Sequence, residues 1–386
     1  MEASAVVELL RDTPCGRRLL DADAGGSGVW LVGGAVRDML LGNAPRELDV
    51  AVEGDVTPLA RSLGGAVVAH ERFGTATVEH EGCRFDLART RTESYAAPGA
   101  LPDVTWTSID ADLARRDVTV NAIAVRLADG EVRAWPQAFD DLRDGVLRVL
   151  HERSFTDDPT RVWRVARYAA RLGFTVEPGT ATLAAAAGPG AVSGERLGHE
   201  LRLALGEPDP SAVLERLTHL NPRTLPEGMV PRPAALAPAL ALLPADGRRD
   251  LTTLAACCAA MDADLLARWL DHLQFPAPDR DVVTAASRWV TGAPLRAART
   301  PSEIARAARG APVEAVALAG GDNARRWIQE LRHVRAAITG DDLLAAGVPH
   351  GPEIGVRLQR ALDARLDGTA VGHEAELAAA LADPAT

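Results

Sequence analysis

Hydrophobic and polar positions along this chain follow two regimes, and the change falls near residue 150. Before it, short apolar or alternating runs predict strands over residues 29–32, 48–52, 75–79, 84–88 and 123–127, with a hairpin turn at Glu81-Gly82. After residue 157 apolar positions recur at three- and four-residue spacing, which predicts helices over 158–172, 194–205 and 211–217. More helices follow in the Ala-, Leu- and Arg-rich stretch from residue 234 to the end. Proline-rich joints at 222–233 and 276–278 read as boundaries between helical parts. The pattern is an α/β head followed by an all-α arm.

The head carries the chemistry. The apolar run 29–32 meets Gly33-Gly34, and a helix opens at Ala35-Val36-Arg37-Asp38. Glycines there let backbone N–H groups approach phosphate oxygens at a helix N-terminus, and Arg37 adds charge one turn in. After a Gly42–Pro45 turn, Glu47 and Asp49 point to one side of an alternating strand. Two close carboxylates repel unless a cation lies between them, so the pair suits Mg²⁺. Asp86 completes a three-carboxylate cluster if its strand lies beside that of Glu47 and Asp49. Its own strand places Cys83, Phe85 and Leu87 on the opposite, apolar face.

Two further segments stand out. In Arg115-Arg116-Asp117 an Arg pair and an acid lead into a β-branched run, where Arg116 could reach a triphosphate with Asp117 orienting it. In Asp157-Asp158-Pro159-Thr160-Arg161, acids and a proline mark a helix start, and Arg161, Arg164, Arg167 and Arg171 form one guanidinium stripe. Asp158 and Arg161 offer an acceptor and a forked donor that could read a base edge. Each piece alone has a plainer reading: a solvated strand face, a surface charge run, or the wet side of an amphipathic helix.

Composition narrows the picture. At 386 residues the chain exceeds one ordinary domain. A formal charge of −11 does not favour nucleic acid, so any RNA site must be a local basic patch. There is no lysine, and every basic side chain is arginine, the better bidentate phosphate ligand. Cys15, Cys83, Cys257 and Cys258 show no metal-ligand spacing and suggest reduced thiols in a cytoplasmic protein. No apolar window reaches the ~18 residues of a membrane span, and no export signal is visible.

Taken in order, LVGGAVRD, ELDVAVEGD, FGTATV, FDLARTRTESY, PGALPDV, DLARRDVTVNAIA, HERSFTDDPTRVWRVARYAARLGF and VSGERL resemble the class II tRNA nucleotidyltransferase/poly(A) polymerase family. The likeness runs from about residue 29 to 201 and returns weakly at ITGDDLL, residues 338–344. It implies an α+β protein: a mixed-sheet nucleotidyltransferase head, similar to the DNA polymerase beta superfamily, then an all-α neck, body and tail. The corresponding spans are 1–150, 151–220, 221–330 and 331–386. The implied activity is template-independent addition of C or A, or both, to the 3′ end of tRNA from CTP and ATP, with two Mg²⁺ ions.

By the same resemblance Gly33, Gly34 and Arg37 cradle the triphosphate, Glu47 and Asp49 bind metal, and Asp86 is the third acid. Arg116 contacts nucleotide, with Asp117 and Asn121 holding its motif. Asp158 and Arg161 pair with the base, Arg164 and Arg167 lie nearby, and residues 91–106 correspond to a mobile loop implicated in switching to A addition. The helical arm holds the tRNA acceptor end. The family has Asp where this chain has Glu47, an arm longer by about 1.5 Å, which implies slowed turnover. It also has an Asp-Pro start and a Gly where this chain reads Ala134-Trp135-Pro136-Gln137-Ala138. A tRNA-binding homologue of impaired activity and a poly(A) polymerase acting on general RNA are the alternatives.

Overall fold

The computed structural model describes residues 5–23, 28–70 and 74–382. Phe73, which opens FGTATV, lies outside the described residues. Two compact units result, residues 1–224 and 225–386.

The first unit begins with α1 (Val6–Arg11), α2 (Pro14–Asp23), β1 (Val29–Val32), α3 (Gly33–Leu40), β2 (Leu48–Val52), α4 (Thr57–Leu63), β3 (Ala66–His70), β4 (Thr75–His80) and β5 (Cys83–Arg89). A hairpin of β6 (Arg91–Ser94) and β7 (Asp103–Trp106) precedes α5 (Ile109–Ala114), β8 (Ile123–Arg126), β9 (Val132–Ala134) and α6 (Ala138–Asp144). The chain then runs through β10 (Val146–Leu147), α7 (Ser154–Asp157), α8 (Arg161–Leu172), β11 (Thr175–Val176), α9 (Pro178–Ala186), α10 (Gly194–Leu205) and α11 (Pro210–Leu220).

Seven strands form one sheet in the order β3-β4-β5-β2-β1-β8-β9. All neighbours are antiparallel except β2 and β5, which run parallel with Asp49 opposite Asp86. Every residue of β1 is buried, as its unbroken VWLV run requires. On one face Trp30, Val32, Ala51, Ala122 and Ala124 pack with Ile109 and Leu113 of α5. Trp135, in the 134–138 segment, also packs on this core, so an apolar anchor occupies the departure from the family pattern. On the other face of β5 the buried Cys83, Phe85 and Leu87 alternate with more exposed positions, as expected.

The five predicted strands are present, ending within a residue or two of their expected limits. The hairpin turn at Glu81-Gly82 has positive φ at both residues. The edge strand β3 gave no signal because residues 66–69 are exposed and their alternation has no buried side. The helix predicted from 158 instead starts at Arg161, because Asp158 stays extended before Pro159.

The expectation of four reduced thiols is corrected. Cys15 of α2 and Cys83 of β5 form a disulfide across 68 residues, and only Cys257 and Cys258 are free. Spacing in the sequence could not show that α2 packs beside α4, which in turn packs on β4, the neighbour of β5.

The second unit is helical among the described residues, from Leu236–Leu242 to His373–Leu381. One of its cores gathers Ile338, Leu343, Val348, Ala361 and Ala380. At the 276–278 joint Pro276 caps the helix Ala277–Ser287 within this unit. No described helix is long and apolar enough to cross a membrane.

Candidate active site

A cavity of about 1260 Å³ opens in the first unit beside the carboxyl-bearing face of β2 and β5. The parallel register of those two strands sets Asp86 next to Asp49, while Glu47 enters from the residue before β2. Each of the three acids offers an oxygen within 4.8 Å of the others. Thr77 donates to Asp86 Oδ1 at 2.7 Å, and Arg84 lies 3.3 Å from both Asp86 Oδ2 and Glu47 Oε2.

The cluster is short of positive charge. Burial, then the charges of Asp49 and Asp86, raise the Glu47 pKa against the pull of Arg84. Asp49 is also raised, chiefly by burial, and Arg116 only partly offsets this. Three hard oxygen donors gathered within 4.8 Å of one another, with Glu47 and Asp49 held against ionisation, fit a divalent ion such as Mg²⁺.

Gly33 and Gly34 begin α3 directly above these acids. Gly33 has φ +66°, and a Cβ on it would lie 2.7 Å from Arg116 Nη1. On Gly34 a Cβ would crowd Asp49 Oδ2 and Arg37 Nη2 at 3.4 Å each. At Gly33 the positive φ and the 2.7 Å approach call for glycine.

The basic residues are held by one another's partners. Arg37, only 1% exposed, donates to Asp38 and to Asn121 Oδ1 (2.6 Å). Asn121 Nδ2 donates to Asp117 Oδ1 at 3.0 Å. Asp117 Oδ2 accepts from Arg164 Nε at 2.7 Å and from Tyr168 Oη at 3.1 Å. Burial alone would raise the Asp117 pKa, but Arg164 and the Asn121 hydrogen bond hold it well below the usual carboxylate range.

Asp117 therefore does not orient Arg116, as the sequence suggested. Asp112 does so at 3.0 Å, with the Asn121 carbonyl 3.4 Å from Arg116 Nη1. Asp112 and Arg116 are one helical turn apart on α5 and the turn after it, so the pair forms locally. The Arg171-to-Arg161 stripe is not a solvated face either. Arg161 and Arg167 are buried, and Arg37, Arg164, Arg167 and Arg171 surround the Tyr168 ring at 5.5–5.9 Å.

Asp158 and Arg161 both line the cavity, but each is already engaged. Asp158 Oδ1 accepts from the Thr160 N–H, the Thr160 hydroxyl and Arg196 Nη2 (2.8 Å). Arg161 donates to Ser154 Oγ (2.9 Å) and to the Arg115 carbonyl (2.7 Å). Arg167 donates to Glu200 Oε2 at 2.9 Å.

Residues 91–106 carry regular secondary structure. They form the β6–β7 hairpin, whose tip is tied down: Gly99 N–H donates to the Asp157 carbonyl, and Arg196 Nη1 donates to the Gly99 carbonyl at 2.9 Å. Arg84, Asp112, Arg115, Tyr168, Arg196 and Glu200 also line the cavity. No local pattern singles these residues out, although VSGERL contains Arg196 and DLARRD contains Asp112.

Residues 29–148 match the family model of the poly(A) polymerase head domain. An A-adding tRNA nucleotidyltransferase of Halalkalibacterium halodurans is 42% identical over 50% of this chain and 48% of its own length. Another, of Geobacter sulfurreducens, is 32% identical over 92% of this chain and 45% of its own length. The chain thus spans about half the length of these relatives. A solved CCA-adding enzyme in complex with CTP superposes with a TM-score of 0.76 at 25% identity, covering 98% of this chain and 97% of that one.

Proposed function

We propose that this chain, whose residues 29–148 match the poly(A) polymerase head-domain model, transfers nucleotides without a template to the 3′ end of tRNA. The donors are ATP, CTP or both, and two Mg²⁺ ions take part. The observation that carries this reading is the convergence in one cavity of Glu47, Asp49 and Asp86 with Gly33-Gly34, Arg37, Arg116, Asp158 and Arg161.

In this reading Glu47, Asp49 and Asp86 hold the ions, which supply charge stabilisation and an acidified attacking hydroxyl. Arg116 and the backbone N–H groups at the start of α3 receive the triphosphate. Arg37 lines the same cavity and, through Asn121 Oδ1, braces the residue whose carbonyl accepts from Arg116. Asp158 and Arg161 bound the base end, fixed by Arg196 and Ser154. The RNA 3′-hydroxyl attacks the α-phosphate, its proton is lost, and pyrophosphate leaves. Names of the similar proteins support tRNA as the acceptor, and the helical arm, residues 151–386, would hold it.

Incubation of the purified chain with Mg²⁺, one labelled nucleotide at a time, and tRNAs ending before C, CC and CCA tests this. Incorporation that disappears in Asp49→Asn and Asp86→Asn is expected, and product length identifies the nucleotides added. Incorporation absent in the wild type but present in Glu47→Asp would assign the silence to Glu47 and leave a tRNA-binding role.

A further inference from the structure

Arg84 is the cation closest to the carboxylate cluster. It sits on β5 two residues before Asp86, so both side chains leave the same face of the strand. Its Nε is 3.3 Å from Glu47 Oε2 and its Nη2 is 3.3 Å from Asp86 Oδ2. The guanidinium thus covers lone pairs on two of the three acids that a metal ion would need. Glu79, opposite Arg84 on β4, lies 3.9 Å from Nη1 and offers a second partner away from the cavity. The Arg84 side chain is 49% exposed, so it can swing without disturbing the core.

We propose that Arg84 is the resident counter-ion of the Glu47–Asp49–Asp86 cluster, and that a divalent metal enters by displacing its guanidinium toward Glu79 and solvent. The proposal rests on the nucleotidyl-transfer reading only in taking the cluster as a metal site. Three acids with oxygens within 4.8 Å of one another need positive charge whether or not metal is bound. Arginine supplies it weakly, because exposed ion pairs contribute little and exchange readily. Glu47, one methylene longer than Asp, brings its carboxylate within reach of Arg84. Metal binding is then an exchange of one cation for another, and its affinity carries the cost of moving Arg84.

Manganese titration of the full chain, followed by the electron paramagnetic resonance signal of free Mn²⁺, tests the exchange. Arg84→Gln should bind Mn²⁺ about three- to tenfold more tightly, the effect expected of removing one unit charge a few ångströms away. Mg²⁺ should then raise its melting temperature more than it raises that of the wild type. Arg84→Lys, which keeps the charge, should stay within about twofold of the wild type. Equal or weaker Mn²⁺ binding by Arg84→Gln, with wild-type binding intact and lost in Asp49→Asn, would overturn the displacement. If neither the wild type nor any variant binds Mn²⁺ at the cluster, the metal reading itself fails, and the proposal fails with it.

Discussion

Asp117 shows how one buried carboxylate can hold a whole site. Its two oxygens receive Asn121, Arg164, Tyr168 and the Val118 N–H, and through Asn121 it reaches Arg37. Removing a carboxylate from such a network leaves buried donors without their charged partner. Asp117→Asn should cost about 2–4 kcal/mol of stability, read by urea unfolding. The pH dependence has a definite sign. Asp117 has a depressed pKa in the folded chain, so its contribution is present above the unfolded value of ~3.9 and is lost as pH falls through the lower folded value. The stability gap between wild type and Asp117→Asn should therefore hold from pH 7 to about 5 and shrink below about pH 4. A gap that closed near neutrality would exclude this account.

Among elements, the β6–β7 hairpin and α2 are each held by a few identifiable bonds. At the hairpin tip Arg196 binds the Gly99 carbonyl and Asp158 at once, beside the backbone bonds from Gly99 N–H to the Asp157 carbonyl and from Ala191 N–H to the Pro98 carbonyl. Arg196→Ala should release the tip and leave Asp158 with only its Thr160 contacts. Hydrogen exchange across residues 95–102 should speed up, and the ratio of A to C incorporation should change; slow exchange in the variant would show that other contacts suffice. The Cys15–Cys83 bond joins α2 to β5 behind the face that carries Asp86. A crosslink over a loop of this length stabilises by about 2–4 kcal/mol, mainly by restricting the unfolded chain. Reduction, or Cys15→Ser, should lower the melting temperature of the unit by about 5–10 °C. Cys257 and Cys258 should not respond, since burial raises both thiols, Cys257 to about 12, and keeps them protonated.

At the scale of the whole molecule, a formal charge of −11 coexists with a cavity lined by Arg84, Arg115, Arg116, Arg164, Arg171 and Arg196. The RNA binding proposed above would then be local, with few phosphates neutralised and the rest of the surface repelling. With about three phosphates contacted, raising salt from 50 to 200 mM should weaken RNA binding only about 20-fold. A loss of a thousandfold or more would indicate a broad basic surface that the charge balance argues against. Filter binding of tRNA across a salt series provides the slope.

By itself the sequence determined the local pieces and their order. Apolar or alternating runs mark β1, β2, β4, β5 and β8, the glycine pair marks the start of α3, and i, i+2 spacing puts Glu47 and Asp49 on one face. These depend on periodicity and on the freedom of glycine, which act over a few residues. The edge strand β3 and the short strands of the 91–106 hairpin lacked a buried side and gave no such signal. Tertiary structure alone decided whether Asp86 meets Asp49, because that follows from which strands pair and in what register. It also decided that Asp112 rather than Asp117 holds Arg116, that Arg196 joins the hairpin tip to Asp158, that Arg84 caps the acids, and that Cys15 meets Cys83. Apart from Asp112 with Arg116, each of these contacts depends on which strands, helices or turns the fold packs side by side, and no local pattern of hydrophobic and polar residues encodes that choice.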